Sequence, residues 1–204
     1  YNPQMKSAYN FVPGIMGMIF ILICAIMPSV SIVREKENGT MDLLTVSPAR
    51  PWAIIIGKLV PYFMLSCVIL AVMLVVAYTL LGLPFSGSAY AVVAVSLLYI
   101  TLSLSVGLLV SSLADTQLSA LIVSAVIFMM PVIMLSGMIF PIENMPAVLQ
   151  WLSTIIPARW YISAMRALMV QQLGLAGVMR EVIVLSAMTV GLLLAAMTLS
   201  NRKQ

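Results

Sequence analysis

Five apolar runs follow one another along the chain, each long enough to cross a bilayer: Phe11–Val33, Ile54–Leu81, Ala89–Leu113, Leu118–Met138 and Val178–Leu199. A helix rising 1.5 Å per residue needs about 20 residues to cross a hydrocarbon core of about 30 Å. Lipid offers the backbone no hydrogen-bond partner, so such runs must close their own bonds as helices. The pattern predicts an all-α, polytopic membrane bundle with five transmembrane helices. Pro28, Pro61 and Pro131 interrupt three of the runs and predict kinks there. Ser103, Gly107 and Ser111 form a ridge of small residues suited to close helix contact.

Two interruptions stand out. The first is the elbow from Ser31 to Lys58, the densest charge in the sequence. Arg34 and Glu37 lie one turn apart, so the first helix can continue into water with an ion pair on its side. Gly39 suits a helix stop, and Thr40 with Asp42 suits the cap and first turn of a new short helix on which Met41 and Leu44 share a face. Arg50-Pro51-Trp52 then opens the next helix. Such an elbow is either an ordinary solvated connector or a short helix docked in a groove of a cytoplasmic partner. The second interruption is divided by Pro141, Pro146 and Pro157. Its helical pieces, Ala147–Ile156 and Ala158–Gln172, are too short to cross. They either dip into the membrane and return or lie flat on it, with Trp151, Arg159, Trp160, Tyr161 and Arg166 at headgroup level.

Composition narrows the function. Of 204 residues, 63% are hydrophobic and 8% charged, with mean hydropathy +1.15. A soluble domain carries about a quarter charged residues, so lipid is the solvent for most of this chain. The net charge of +4 is scattered and reads as juxtamembrane lysine and arginine, not as a nucleic-acid face. Elbow and tail hold Arg34, Lys36, Arg50, Lys58, Arg202 and Lys203, against Lys6, Arg159, Arg166 and Arg180 on the other side, which places elbow and tail in the cytoplasm. Cys24 and Cys67 fall inside apolar runs and predict two buried thiols without a disulfide. No histidine, metal-ligand cluster, phosphate loop or nucleophile with a base is present, so no catalytic or metal site is expected. Glu35, Glu37, Asp42, Asp115, Glu143 and Glu181 all fall outside mid-membrane positions, which disfavours a carrier driven by a bound ion.

Arg34-Glu35-Lys36-Glu37-Asn38-Gly39-Thr40-Met41-Asp42-Leu43-Leu44, followed by Ser47-Pro48-Ala49-Arg50-Pro51 and Ile56-Gly57-Lys58-Leu59, resembles the loop of type-2 ATP-binding-cassette (ABC) exporter permeases. Leu135-Ser136-Gly137-Met138-Ile139-Phe140-Pro141-Ile142-Glu143-Asn144-Met145-Pro146, continuing to Pro157-Ala158-Arg159-Trp160-Tyr161, resembles the outer re-entrant region of the same family. The resemblance covers residues 1–204, which would form one permease transmembrane domain. Tyr1 opens the chain, and the family pattern implies a first span and, in the closest subgroup, a periplasmic domain before it.

The resemblance implies a permease subunit in the bacterial inner membrane, coupling ATP hydrolysis by a separate cassette subunit to efflux. It implies no enzyme activity and no cofactor in this chain, since ATP and magnesium would bind the partner. A second permease copy or paralogue, membrane lipid and, in one subgroup, a periplasmic adaptor are the other implied partners. Glu35, Lys36, Glu37, Gly39, Thr40, Met41 and Leu44 would form a coupling helix, with the Asp115 turn as a second contact. Phe128, Met129, Met130 and Met134 would line the translocation path, and Pro141, Glu143 and Pro157 would belong to an outer gate in a re-entrant helical hairpin. The rival readings are an ion-coupled carrier or channel, and a non-transporting membrane scaffold.

Overall fold

The structure is a computed structural model, and it describes residues 8–39, 51–79, 89–138, 142–171 and 173–202. Every regular element among them is helical. Helix α1 (Ala8–Glu37) holds Pro13 and Pro28 within it and runs past the apolar stretch into the charged residues, as the sequence suggests. Helix α2 (Pro51–Thr79) contains Pro61, and α3 (Ala89–Leu113) coincides with the third apolar run. Among the described residues, four helical stretches are long and apolar enough to cross a membrane: Phe11–Glu37, Ile56–Thr79, Ala89–Leu113 and Leu175–Leu199.

The expected span Leu118–Met138 is helical from Gln117 to Leu135, but not uniformly so. Its helix is segmented into α4 (Gln117–Ser124), a π-helical turn (Ala125–Met129) and α5 (Met130–Leu135). Pro131 has no N–H to return to the carbonyl four residues earlier, and its ring crowds that carbonyl. The widened turn just before it takes up the mismatch. The helix ends at Leu135, and Gly137 at φ 80° turns the chain in a left-handed conformation, so Met138 lies beyond it.

After a 3₁₀ turn (Ile142–Asn144) come α6 (Ala147–Ser153) and α7 (Pro157–Met169). A second 3₁₀ turn (Leu175–Val178) leads into α8 (Met179–Arg202). Pro157 sits at the start of α7, where its missing N–H costs nothing, behind an extended Ile156.

Helices α1 and α3 form the centre. A Cβ on Gly107 would lie 2.8 Å from the carbonyl oxygens of both Cys24 and Ala25, so the small-residue ridge is where the two backbones come closest. Ser103 and Ser111 are buried on the same ridge and return their hydroxyls to the Tyr99 and Leu108 carbonyls at 2.9 and 2.7 Å. The Cys24 thiol and the Ser66 hydroxyl meet at 3.0 Å, tying α1 to α2. Both cysteines are free, but only Cys24 is buried; Cys67 is partly exposed. Ser66 takes the inward position, and the next residue on a helix points about 100° away.

Helix α7 is more deeply placed than its length suggests. Tyr161, Ile162, Met165 and Leu168 are fully buried. The Tyr161 ring stacks on Tyr99 at 4.2 Å and meets Phe20 edge-on at 6.3 Å. Its hydroxyl lies 3.2 Å from that of Ser96, while the Tyr99 hydroxyl donates to the Gly17 carbonyl at 3.0 Å. These contacts lock α1, α3 and α7 together through rings whose polar ends are satisfied. By contrast, Val60, Met64, Val68, Val72 and Val75 of α2, and Ile183, Val190 and Leu194 of α8, point outward as apolar stripes.

Candidate functional site

The last turn of α1 carries the first charged residues of the elbow, Arg34, Glu35, Lys36 and Glu37. Basic Arg34 and Lys36 there complement the negative end of the helix. Asn38 and Gly39 donate their N–H groups to the Arg34 and Lys36 carbonyls at 3.0 and 3.2 Å, and Gly39 at φ 70° ends the helix.

Three successive side chains then reach three different helices. Glu35 forms an ion pair with Lys58 of α2. Lys36 donates to the carbonyl of Ser111 near the end of α3. Glu37 accepts from the backbone N–H of Gln117 at 3.2 Å and from its side-chain amide at 2.9 Å, at the first residue of α4. Glu37 is therefore committed to Gln117 and not to Arg34 as expected, because the α4 N-terminus offers an unused donor and a favourable dipole. That N-terminus is itself braced by Thr116 and Ser119, each accepting at 3.2 Å from the other's backbone N–H.

The structure thus brings Glu35, Lys36, Glu37 and Gly39 beside the exposed Asp115 turn. Lys58, Ser111 and Gln117 complete the cluster; Lys58 was read as the end of the elbow but given no partner, and Ser111 and Gln117 were given no role in it. Thr40, Met41 and Leu44 lie outside the described residues.

The four path candidates do not converge. Phe128 turns inward and packs against the α1–α3 core. Met130 and Met134, one turn apart on α5, line a groove of about 500 Å³. Its walls include Val126 and Pro131 on one side and Asn144, Met145 and Leu149 on the other. Met129 is exposed but takes no part in that lining. Val126 was detectable, since it continues the four-residue spacing of Met130 and Met134. Met145 and Leu149 arrive from the other side of a turn, and no local pattern announces them.

Of the gate candidates, Pro157 starts α7 and the Glu143 backbone lies in the 3₁₀ turn, whereas Pro141 lies outside the described residues. The α6–α7 junction is held by Arg159, which donates to the Gln150 carbonyl at 2.9 Å and to the Ser153 hydroxyl. The Trp160 indole N–H donates to the Thr154 carbonyl at 2.9 Å. Arg166 donates to the Gly137 carbonyl at 2.8 Å and so ties α7 to the end of α5. Burial, and next the charge of nearby Arg180, lower the pKa of Arg159 from the ordinary guanidinium value.

A family model described as ABC-2 family transporter protein matches residues 1–198. The chain belongs to that family. The ABC-2 chain is 38% identical over 161 residues to the probable multidrug ABC transporter permease YbhR of Escherichia coli, covering 79% of this chain and 44% of the relative. It is 34% identical over 168 residues to the probable multidrug ABC transporter permease YbhS of the same organism, covering 82% and 45%. A more distant relative is ABC transporter G family member 20 of Dictyostelium discoideum, 27% identical over 174 residues, with 85% and 24% covered. The ABC-2 chain spans a little under half the length of the curated E. coli relatives it matches.

Proposed function

We propose that this chain is the membrane-spanning part of an ATP-driven exporter that carries substrate out across a bacterial inner membrane. A separate ATP-binding subunit would hold ATP and magnesium and do the work. The observation that carries the reading is the triple tie of Glu35, Lys36 and Glu37 to α2, α3 and α4. Residues 34–58 and the C-terminus would face the cytoplasm, and residues 40–44 would dock on the ATP-binding subunit as a coupling helix beside the Asp115 turn. A push there could not move α1 alone; it would drag the ends of three neighbours. A hydrogen-bonded polar cluster over a close-packed bundle transmits displacement because neither part deforms cheaply.

In this reading Gln117–Leu135 acts as the fifth crossing, its π turn and Pro131 allowing the two halves to bend separately. The path runs between α1 and α4–α5, together with their copies in a second permease subunit. The Met130–Met134 groove lies on it, and α6–α7 form the re-entrant outer gate with Glu143 and Pro157. Methionine side chains adapt to apolar ligands of varied shape, which suits a drug-like substrate of the kind the names of the E. coli relatives suggest. A periplasmic adaptor would complete the route.

The test is a charge exchange in the full-length subunit with its ATPase. Glu35→Lys and Lys58→Glu should each depress substrate export and substrate-stimulated ATP hydrolysis, and the double exchange should restore a substantial part of both. Partly buried pairs of this kind couple by about 1 kcal/mol. Unaltered export in both single variants would remove the coupling role from this cluster.

A further inference from the structure

The indole of Trp160 is approached by two cations from different helices. The guanidinium of Arg159, on α7, lies 5.4 Å from the ring centroid, and that of Arg180, on α8, lies 5.6 Å away. The ring face attracts each of them, but it cannot cancel two positive charges. Among the described side chains, no carboxylate lies within 4 Å of either arginine. The nearest acid in sequence, Glu181, instead accepts from Ser163 at 3.4 Å, and successive helix residues face different ways.

Positive potential accumulates around Arg180. It occupies the first turn of α8, where the helix presents its positive end. It also shares the Trp160 indole with a second guanidinium, that of Arg159. An anion at this position would be attracted by all three.

We infer that Arg159, Trp160 and Arg180 form a binding site for a phosphate group, supplied by the headgroup of an anionic phospholipid. Depth favours this source. Arg180 lies close to the start of the apolar stretch Leu175–Leu199, where a membrane helix meets the headgroups, and tryptophan is enriched at that level. The donors are also in place. Arg159 uses one nitrogen on the Gln150 carbonyl and the Ser153 hydroxyl, so its remaining donors are positioned by an anchored side chain. Arg180 is exposed and offers its whole fork. A lipid held here would bridge α7 to α8 and load the same junction that Arg159 and Trp160 make with α6.

The experiment is native mass spectrometry of the full-length subunit in detergent, titrated with phosphatidylglycerol, with diacylglycerol lacking the phosphate, and with inorganic phosphate as competitor. Wild type should retain phosphatidylglycerol well above diacylglycerol. Arg180→Gln should weaken that retention about five-fold, the effect of one basic residue at an anionic surface. Arg180→Lys, which keeps the charge without the fork, should fall between the two. Competition by millimolar inorganic phosphate would assign the site to free phosphate and overturn the lipid source. Equal retention of the two lipids, or equal retention by wild type and both variants, would overturn the site itself.

Discussion

Gly107→Ala tests the contact on which the bundle is built. The added Cβ would sit 2.8 Å from two carbonyl oxygens and 3.1 Å from the Ala25 Cα. Carbon and carbonyl oxygen ordinarily approach no closer than about 3.3 Å, so α1 must retreat by roughly 0.5 Å. The obstructing atoms are helix backbone, and no rotamer change can clear them. Overpacking of this kind costs about 1–3 kcal/mol, and the better helix propensity of alanine returns about 0.5–1 kcal/mol. The net loss is about 0–2.5 kcal/mol, and the loss relative to a control with the same propensity gain is about 1–3 kcal/mol. Gly191→Ala in α8 is the matched control, because nothing lies within 4 Å of its added Cβ; it should be neutral or slightly stabilising. Thermal unfolding of the full-length subunit in detergent should therefore show a lower midpoint for Gly107→Ala than for Gly191→Ala. Equal midpoints, or a higher one for Gly107→Ala, would refute close backbone contact between α1 and α3.

Two further substitutions probe the ends of the bundle. Tyr161→Phe keeps the stack on Tyr99 but removes the contact with Ser96, and should cost about 0.5–1.5 kcal/mol in the same unfolding assay, with export little changed. Thr116→Ala removes the acceptor that braces the start of α4, costing about 0.5–2 kcal/mol. Because Gln117 is the next residue, it should also loosen the Glu37 contact, read as faster amide hydrogen exchange at Gln117.

Much of the architecture was legible in the chain. Hydropathy located the four long helices, since only a helix can satisfy its backbone in lipid. The elbow showed itself as charge between apolar runs, and Gly39 and Gly107 were singled out correctly as a helix stop and a packing position. Within Leu118–Met138 only Pro131 announced a backbone break; the π turn and the stop at Leu135 were not legible, because hydropathy counts side chains and not backbone geometry. Cys67 was misplaced for a related reason: composition gives no angle around the helix.

What the sequence by itself determined is which segments are apolar enough for lipid, and that the charged elbow is not among them. Tertiary structure alone decided which apolar faces meet. The apolar stretches of α1 and α3 are 50% and 67% buried, while those of α2 and α8, of similar hydropathy, are 11% and 17% buried. A side chain that suits lipid suits a neighbouring helix equally well, so hydrophobicity cannot distinguish the two surroundings. The same holds for the polar cluster. Glu35 could have met any nearby cation, and only the approach of α2 gave it Lys58. Helix α7 shows the limit most clearly: its length ruled out a crossing, yet the fit of Tyr161 against Tyr99 and Phe20 set it in the core.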